Sequence, residues 1–502
     1  MHANSAHALL RQTDEGKAIG EVLNLIDGQW RRASGGAFVE THNPATGEVT
    51  GSVADGGVED AEAAILAANA AFAKPSWSRD PRLRQLVLLR WASRLEQNVD
   101  SLAMLLTLTN GKPLVQARGE ISAAISEIRY YAGLARHVTA SNMEVAPGEF
   151  ATMLREPAGV AGLIVPWNAP AVLLVRSLAP ALAVGCTAVM KLAHQTAVFT
   201  AAFLQHLHDV SDMPAGVVNL IHETGHSGSE QLVLSDRVDV ISFTGSTAVG
   251  KQIMMAAAAT VKKLSLELGG KSCAVVMDDA DIETVAGHLA RAATIISGQQ
   301  CTAARRVLVH ASRHAEMAEQ LTKALSSLKV GDGRAPDTQV GPLIDEAARN
   351  AIEARTKQVF DEADEVLLRG GVPEGAGDRT AYLTPSLVAH DDDDASFCQE
   401  EIFGPLVVLE RFEDEAEAVR KANNTVFGLS SSVWTGRHAT ALRVARELRR
   451  GTVWINDHNK LFAEAETGGY RQSGLGRLHG YDALADFTEL KHIYQNVGTI
   501  DL

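Results

Sequence analysis

The sequence predicts an α/β protein built from two doubly wound, Rossmann-like units with a small β hairpin between larger elements. Three observations carry that prediction. The chain has 502 residues, too many for one hydrophobic core, so two or three domains are expected. Between residues 160 and 268, short apolar runs alternate with helix-length segments, the rhythm that lays down a parallel sheet. After Cys301 the same rhythm resumes with no Pro/Gly/Ser-rich linker, so the crossing near residue 268 should be tight.

Taken in order, Ile26-Asp27-Gly28-Gln29-Trp30 and Asn43-Pro44-Ala45-Thr46-Gly47 read as a strand, a hairpin and a turn. Apolar residues recur at helical spacing over 58–73, 83–98, 102–108 and 121–134. Residues 138–154 carry β signals around a Pro147-Gly148 turn and read as a hairpin. Strands follow at 161–165, 187–191, 217–221, 238–242 and 264–268, separated by helices at 171–184, 197–210, 227–234 and 249–259. In the second unit, strands are expected at 307–310, 365–368, 406–412, 431–435 and 451–455, and helices at 315–328, 346–363, 415–423 and 439–448. The tail 489–497 reads as a terminal strand.

A net charge of -15 argues against nucleic acid or anionic lipid as partner. Prolines and Arg176 interrupt the most apolar stretch, 160–190, so no membrane span is expected. Residues 1–20 show no apolar leader. The four cysteines, Cys186, Cys273, Cys301 and Cys398, form neither a C-x-x-C pair nor a zinc-like cluster, which predicts a reduced cytoplasmic protein without a metal.

In a doubly wound sheet, ligands sit at the carboxyl ends of the strands, and there the unusual residues gather. Cys301, framed by Gly298, Gln299, Gln300 and Thr302, reads as a nucleophile or as a small buried hydrophobe. Glu267, followed by Gly269-Gly270, reads as a general base or as a strand-end ion pair. Asn168, after Pro166-Trp167, reads as an oxyanion donor or as a turn residue. Gly245-Ser246 open a helix whose N-terminus would hold a phosphate, or simply cap a βα turn. Lys191 reads as a ribose or phosphate donor, or as a lysine snorkelling to solvent.

Six ordered motifs turn this set into a resemblance. They are Pro166-Trp167-Asn168, Phe243-Thr244-Gly245-Ser246-Thr247, Leu266-Glu267-Leu268-Gly269-Gly270-Lys271, Gly298-Gln299-Gln300-Cys301, Glu400-Glu401-Ile402-Phe403-Gly404-Pro405 and Ser473-Gly474-Leu475-Gly476-Arg477. From about Ile26 to Ile493 the chain resembles the non-phosphorylating, NAD(P)-dependent aldehyde dehydrogenase superfamily, down to the 34-position step from Glu267 to Cys301. The resemblance implies that Cys301 attacks an aldehyde, that Asn168 and the Cys301 N–H hold the oxyanion, and that Glu267 activates the water that releases the acid. It assigns Glu401 and Phe403 to the nicotinamide riboside. Pro166, Trp167, Lys191, Gly245, Ser246, Leu268 and Gly269 are assigned to the rest of the cofactor. A bound cofactor and nearby N–H groups should favour the Cys301 thiolate. It also implies an NAD(P)-binding domain over 1–134 and 158–267, a catalytic domain over 268–480, and oligomerisation segments at 135–157 and 481–502. The protein would then be a homodimer or homotetramer.

Several positions depart from the family pattern. A glutamate common after the second strand is His194, which with Lys191 opens NADP beside NAD as cofactor. Arg305, Leu478 and Glu466 replace common family residues and point to an altered substrate entrance. Arg176, eight residues after Asn168, matches the arginine with which succinate-semialdehyde dehydrogenases grip a carboxylate. Their second arginine is Ile295 here. Asp457, Glu464 and Glu466 would instead favour a cationic amino-aldehyde, and a hydrophobic or aromatic aldehyde fits if Arg176 is tied up in an ion pair. Two other readings are a CoA-acylating semialdehyde dehydrogenase, which Glu267 opposes, and a catalytically inactive structural homologue, which the intact Cys301, Glu267 and Asn168 oppose.

Overall fold

A computed structural model describes residues 19–377 and 379–500. The reading of no leader over residues 1–20 rests mostly on residues outside the described ones. Two large sheets dominate. The first runs Gly474–Leu475, Lys263–Glu267, Val240–Thr244, Val160–Val165, Thr187–Ala193, Val218–Glu223, Asn24–Ile26 and Gln29–Arg31. Its five central strands are parallel. Every residue of Val160–Val165 is buried, as a parallel strand covered on both faces requires. Helices Pro81–Glu96, Pro170–Val184 and Ala197–His208 pack on one face, and Val58–Phe72, Ser227–Leu234 and Thr247–Ala257 on the other.

In that sheet Val160–Val165, the first parallel strand in the chain, lies between Thr187–Ala193 and Val240–Thr244. The chain therefore winds outward in opposite directions from it, and a crevice opens where the order reverses. Pro166-Trp167-Asn168 and Gly245-Ser246 leave the two strands on either side of that crevice.

The second sheet runs Glu365–Leu368, Ser386–Ala389, Leu406–Phe412, Arg306–His310, Cys273–Val276, Ser430–Trp434 and Thr452–Ile455. Two of its interior strands, Cys273–Val276 and Ser386–Ala389, were not expected, nor was helix Ile282–Thr294. Cys273–Val276 is short and apolar throughout, and its side chains alternate between two cores, Ala274 and Val276 on one face, Cys273 and Val275 on the other. The crossing is as tight as expected, since only residues 268–272 separate the last parallel strand of one sheet from Cys273–Val276 in the other. One short return runs against that division: Gly474–Leu475 pairs antiparallel with Leu266 and Glu267 and extends the first sheet.

The expected hairpin is Ser141–Ala146 with Glu149–Pro157, and the tail strand Thr488–Asn496 pairs with it to make a separate three-stranded sheet. Among the described residues, no helix is long and apolar enough to cross a membrane.

Candidate active site

One cavity of about 440 Å³ brings together Asn168, Arg176, Glu267 and Cys301. Each arrives on a different element. Asn168 precedes helix Pro170–Val184, Arg176 lies two turns into that helix, Glu267 ends its strand, and Cys301 follows helix Ile282–Thr294.

The loop that leads into Cys301 is bent hard. Ile296 (φ 49°), Ser297 (φ 56°) and Gly298 (φ 77°) are all left-handed, a conformation that costs a β-branched residue energy and persists only when neighbours impose it. The neighbours are identifiable. Ser297 Oγ donates to the carbonyls of Gly341 (2.7 Å) and Pro342 (3.0 Å). Gln299 Oε1 accepts from the Ile344 N–H at 2.9 Å. At Gly298 a Cβ would stand 2.4 Å from the Gly404 backbone, so only glycine fits.

Arg305 does not shape a substrate entrance. It is buried behind the Cys301 loop, donating to the carbonyls of Gly298 (2.8 Å) and Gln300 (3.1 Å) on one side and Ile402 (2.5 Å) and Gly404 (3.2 Å) on the other. Its guanidinium also faces the Phe403 ring, 5.5 Å from the centroid. Leu478 is fully buried, and Glu466 accepts the N–H groups of Tyr481 (2.9 Å) and Asp482 (3.3 Å). None of these three lines the cavity. Neither does Asp457, whose carboxylate accepts the N–H of His458 at 2.7 Å. The acidic residue on the cavity's outer wall is Glu464.

Asn168 Nδ2 donates to the Gln299 carbonyl at 3.0 Å, which leaves its second N–H for a ligand in the cavity. Its backbone is held from below by residues with no local sequence signal. Lys112 Nζ donates to the Asn168 carbonyl at 2.9 Å and forms an ion pair with Glu120. Glu120 in turn accepts the N–H groups of Ala171 (2.8 Å) and Val172 (3.4 Å), doing for helix Pro170–Val184 what its N-cap residue, Ala169, cannot. On the far side, His458 Nε2 lies 2.8 Å from the Thr302 carbonyl. A carbonyl only accepts, so Nε2 carries the proton and Nδ1 accepts from Ser432 Oγ at 2.9 Å. Burial pushes this imidazole down to about 4, which keeps it neutral.

Burial raises the Glu267 carboxyl to about 7, with Arg176 and Arg477 opposing and Asp486 adding to the rise. A carboxylate poised there can take and return a proton near neutral pH. Burial pushes the Cys301 thiol up to about 11, reinforced by Glu401 and Glu267 against Arg176 and Arg305.

The residues expected around a dinucleotide gather at the crevice. Ser246 caps helix Thr247–Ala257 by accepting the Val249 N–H at 3.3 Å, and that helix has no acidic residue in its first turn. The Gly245 N–H donates to the Glu267 backbone carbonyl at 3.0 Å, tying the turn to the end of that strand. The Leu268 N–H donates to the Ser473 carbonyl at 2.9 Å. Glu401 rests on the glycine pair: Gly270 N–H donates to it at 3.2 Å, and a Cβ on Gly269 would lie 2.5 Å from its carboxylate. The Trp167 and Phe403 rings meet edge to face at 5.8 Å. Lys191 is half-buried; desolvation disfavours its charge, with Glu223 opposing. His194 stands near Lys191 but lines a different cavity, with Asp345 and Glu346.

The aldehyde dehydrogenase family model matches residues 30–493. The chain belongs to the aldehyde dehydrogenase family. It is therefore an oxidoreductase of aldehydes. It is 37% identical to a betaine aldehyde dehydrogenase of Bacillus subtilis, over 94% of this chain and 97% of that one. It is 36% identical to an NADP(+) succinate-semialdehyde dehydrogenase of Escherichia coli, over 93% and 96%. A solved betaine aldehyde dehydrogenase of Staphylococcus aureus, in complex with NAD+, superposes with a TM-score of 0.92 at 34% identity, covering 96% of each chain.

Proposed function

We propose that this chain oxidises an aldehyde to its carboxylic acid through a thioester on Cys301, with NAD or NADP as acceptor. The convergence of Cys301, Asn168 and Glu267 on one cavity carries the reading. The Cys301 sulfur gives up its proton to water and attacks the carbonyl carbon as the thiolate, and the carbonyl oxygen, as it gains charge, accepts hydrogen bonds from the free Asn168 N–H and the Cys301 N–H. The crevice residues fit a dinucleotide: an acid-free helix N-terminus at Ser246, a desolvated Lys191, and the Trp167–Phe403 pair beside the nucleophile loop. When bound, the nicotinamide takes up the hydride that turns the aldehyde carbon into an acyl carbon. Glu267 then takes a proton from water, the water oxygen attacks the thioester, and Cys301 leaves. A base in this cavity favours release to water over release to CoA.

Arg176 supports an aldehyde with a distal carboxylate. It is buried against the cavity, makes one long bond to Thr244 Oγ1 (3.3 Å), and its Nε has no partner. A guanidinium so under-used favours an incoming anion. Ile295 at the second arginine position and Glu464 on the outer wall support the amino-aldehyde as second reading. Burial and Lys191 push His194 below its ordinary value, so it is neutral near pH 7 and repels neither cofactor. This supports use of NADP beside NAD. Exposed Met143, Val145, Leu490 and Tyr494 on the three-stranded sheet support a homo-oligomer, and four unpaired cysteines a reducing cytoplasm.

A panel of aldehydes with carboxylate, ammonium and neutral tails, run with NAD and with NADP, tests the reading. Cys301→Ala should remain folded and form no reduced cofactor with any of them. Retained turnover removes the nucleophile assignment, and a strong preference for NAD removes the NADP use.

A further inference from the structure

Behind Glu267 the protein buries a polar column where an α/β layer is normally apolar. Strands Val240–Thr244 and Lys263–Glu267 pair in register, placing Ser242 beside Ser265 and Thr244 beside Glu267. Residues two apart on a strand face the same way, so all four side chains belong to one face of the sheet. Helix Pro170–Val184 covers that face with Arg176 on Thr244 and with Ser177, whose Oγ accepts from Ser242 Oγ at 3.0 Å. Ser177, Ser242 and Ser265 are all buried.

The column ends at Asp486, on the short helix Ala483–Asp486 that packs against both Lys263–Glu267 and Pro170–Val184. The Arg477 N–H donates to its carboxylate at 3.3 Å. Gly476 (φ 84°) makes room for it, since a Cβ there would stand 2.4 Å from Asp486 Oδ2. Ser265 Oγ closes no well-formed hydrogen bond, yet lies near enough to help hold the Asp486 carboxylate ionised. Asp486 itself is half-buried and reaches solvent.

We propose that Asp486 is a positioning residue for acid release, drawing away through Ser265 the proton that Glu267 takes from water. The inference rests on the hydrolytic reading of this site. In that step a water O–H bond breaks, a C–O bond forms at the thioester carbon, the C–S bond breaks, and Cys301 departs as thiolate. Glu267, now protonated, must be emptied before the next turnover. Its proton passes to the Ser265 oxygen as the Ser265 proton passes to Asp486, which releases it to solvent. The two side chains are about 7 Å apart along the strand face, a gap that a glutamate side chain or one water spans.

The electrostatics suit the transfer. Burial raises Glu267 to about 7 and Asp486 to about 6, so the transfer runs uphill by about one unit, roughly tenfold, and release from Asp486 to solvent draws it forward. The charged groups facing Glu267 are Arg176, Arg477, Asp486 and the Cys301 sulfur; those facing Asp486 are Lys263, Arg477 and, across the layer, the Tyr131 hydroxyl.

Rapid-quench measurement of acid release across pH, beside the first-turnover burst of reduced cofactor, tests this. Asp486→Asn should keep the burst, lower the acid-release plateau by about tenfold, and move the acid limb to lower pH, because a negative neighbour of Glu267 is gone. Ser265→Ala should lower the plateau and leave the limb in place, and Asp486→Glu should restore both. An unchanged plateau in Asp486→Asn, even with a displaced limb, overturns the transfer, as does a burst that falls with the plateau. A wild-type protein with no burst overturns instead the reading of function.

Discussion

Glu267→Gln should make the protein more stable at pH 8 while removing its ability to release acid. Glu267 is 5% exposed, and its carboxyl is raised from an ordinary 4.5 to about 7. The folded state therefore binds more protons than the unfolded state between those values. The stability that protonated Glu267 contributes is full below pH 4.5 and is lost as pH rises through 7. The interval from 4.5 to about 7, at 1.36 kcal/mol per tenfold step, is about 3 kcal/mol. That is roughly what ionising this carboxylate costs the fold at pH 8. Glutamine is isosteric and never ionises. Urea unfolding of wild type and variant at pH 4.5 and pH 8 should show little difference at the lower pH and a gain of up to about 3 kcal/mol at the higher. In the same variant the first-turnover burst should survive while acid release slows by about a hundredfold or more. A stability difference independent of pH would refute the buried, raised carboxyl. A burst lost with fast acid release would refute the base.

Three further substitutions probe the site. Asn168→Ala removes one oxyanion donor and should lower kcat about a hundredfold, with KM for the aldehyde changing far less; an unchanged kcat would remove Asn168 from the oxyanion site. Arg176→Leu should lower kcat/KM for carboxylated aldehydes by about tenfold to a hundredfold, the worth of a charged hydrogen bond, and spare neutral ones; equal loss on both would assign Arg176 to structure. Arg305→Ala strands four backbone carbonyls that now accept from one guanidinium, and should cost on the order of 3 kcal/mol or more in urea unfolding; an unaltered midpoint would show that the nucleophile loop holds its shape without it.

Most of the first sheet was legible because its strands are continuous apolar runs separated by helices of the right length. Cys273–Val276 is equally apolar, but it follows the crossing so closely that in sequence it reads as part of it. The roles of Lys112, Glu120 and His458 could not be read locally. Each acts on a loop remote in sequence: Lys112 on Asn168, Glu120 on Ala171 and Val172, His458 on Thr302. The same remoteness explains Arg305. Its position beside the nucleophile suggested an entrance, and only the close packing of residues 402–404 against the loop shows that it points inward.

The sequence by itself determined the fold class and the family, and it singled out Cys301, Glu267 and Asn168 as the candidates for the chemistry, because chemistry needs particular side chains and doubly wound sheets need particular periods. Tertiary structure decided what those groups can do. Burial sets Glu267 near 7 and Cys301 near 11. The fold leaves Arg176 under-bonded in the cavity and takes Asp457 out of it. Desolvation and the pairing of distant segments arise only when the chain is packed, so no window of sequence contains them.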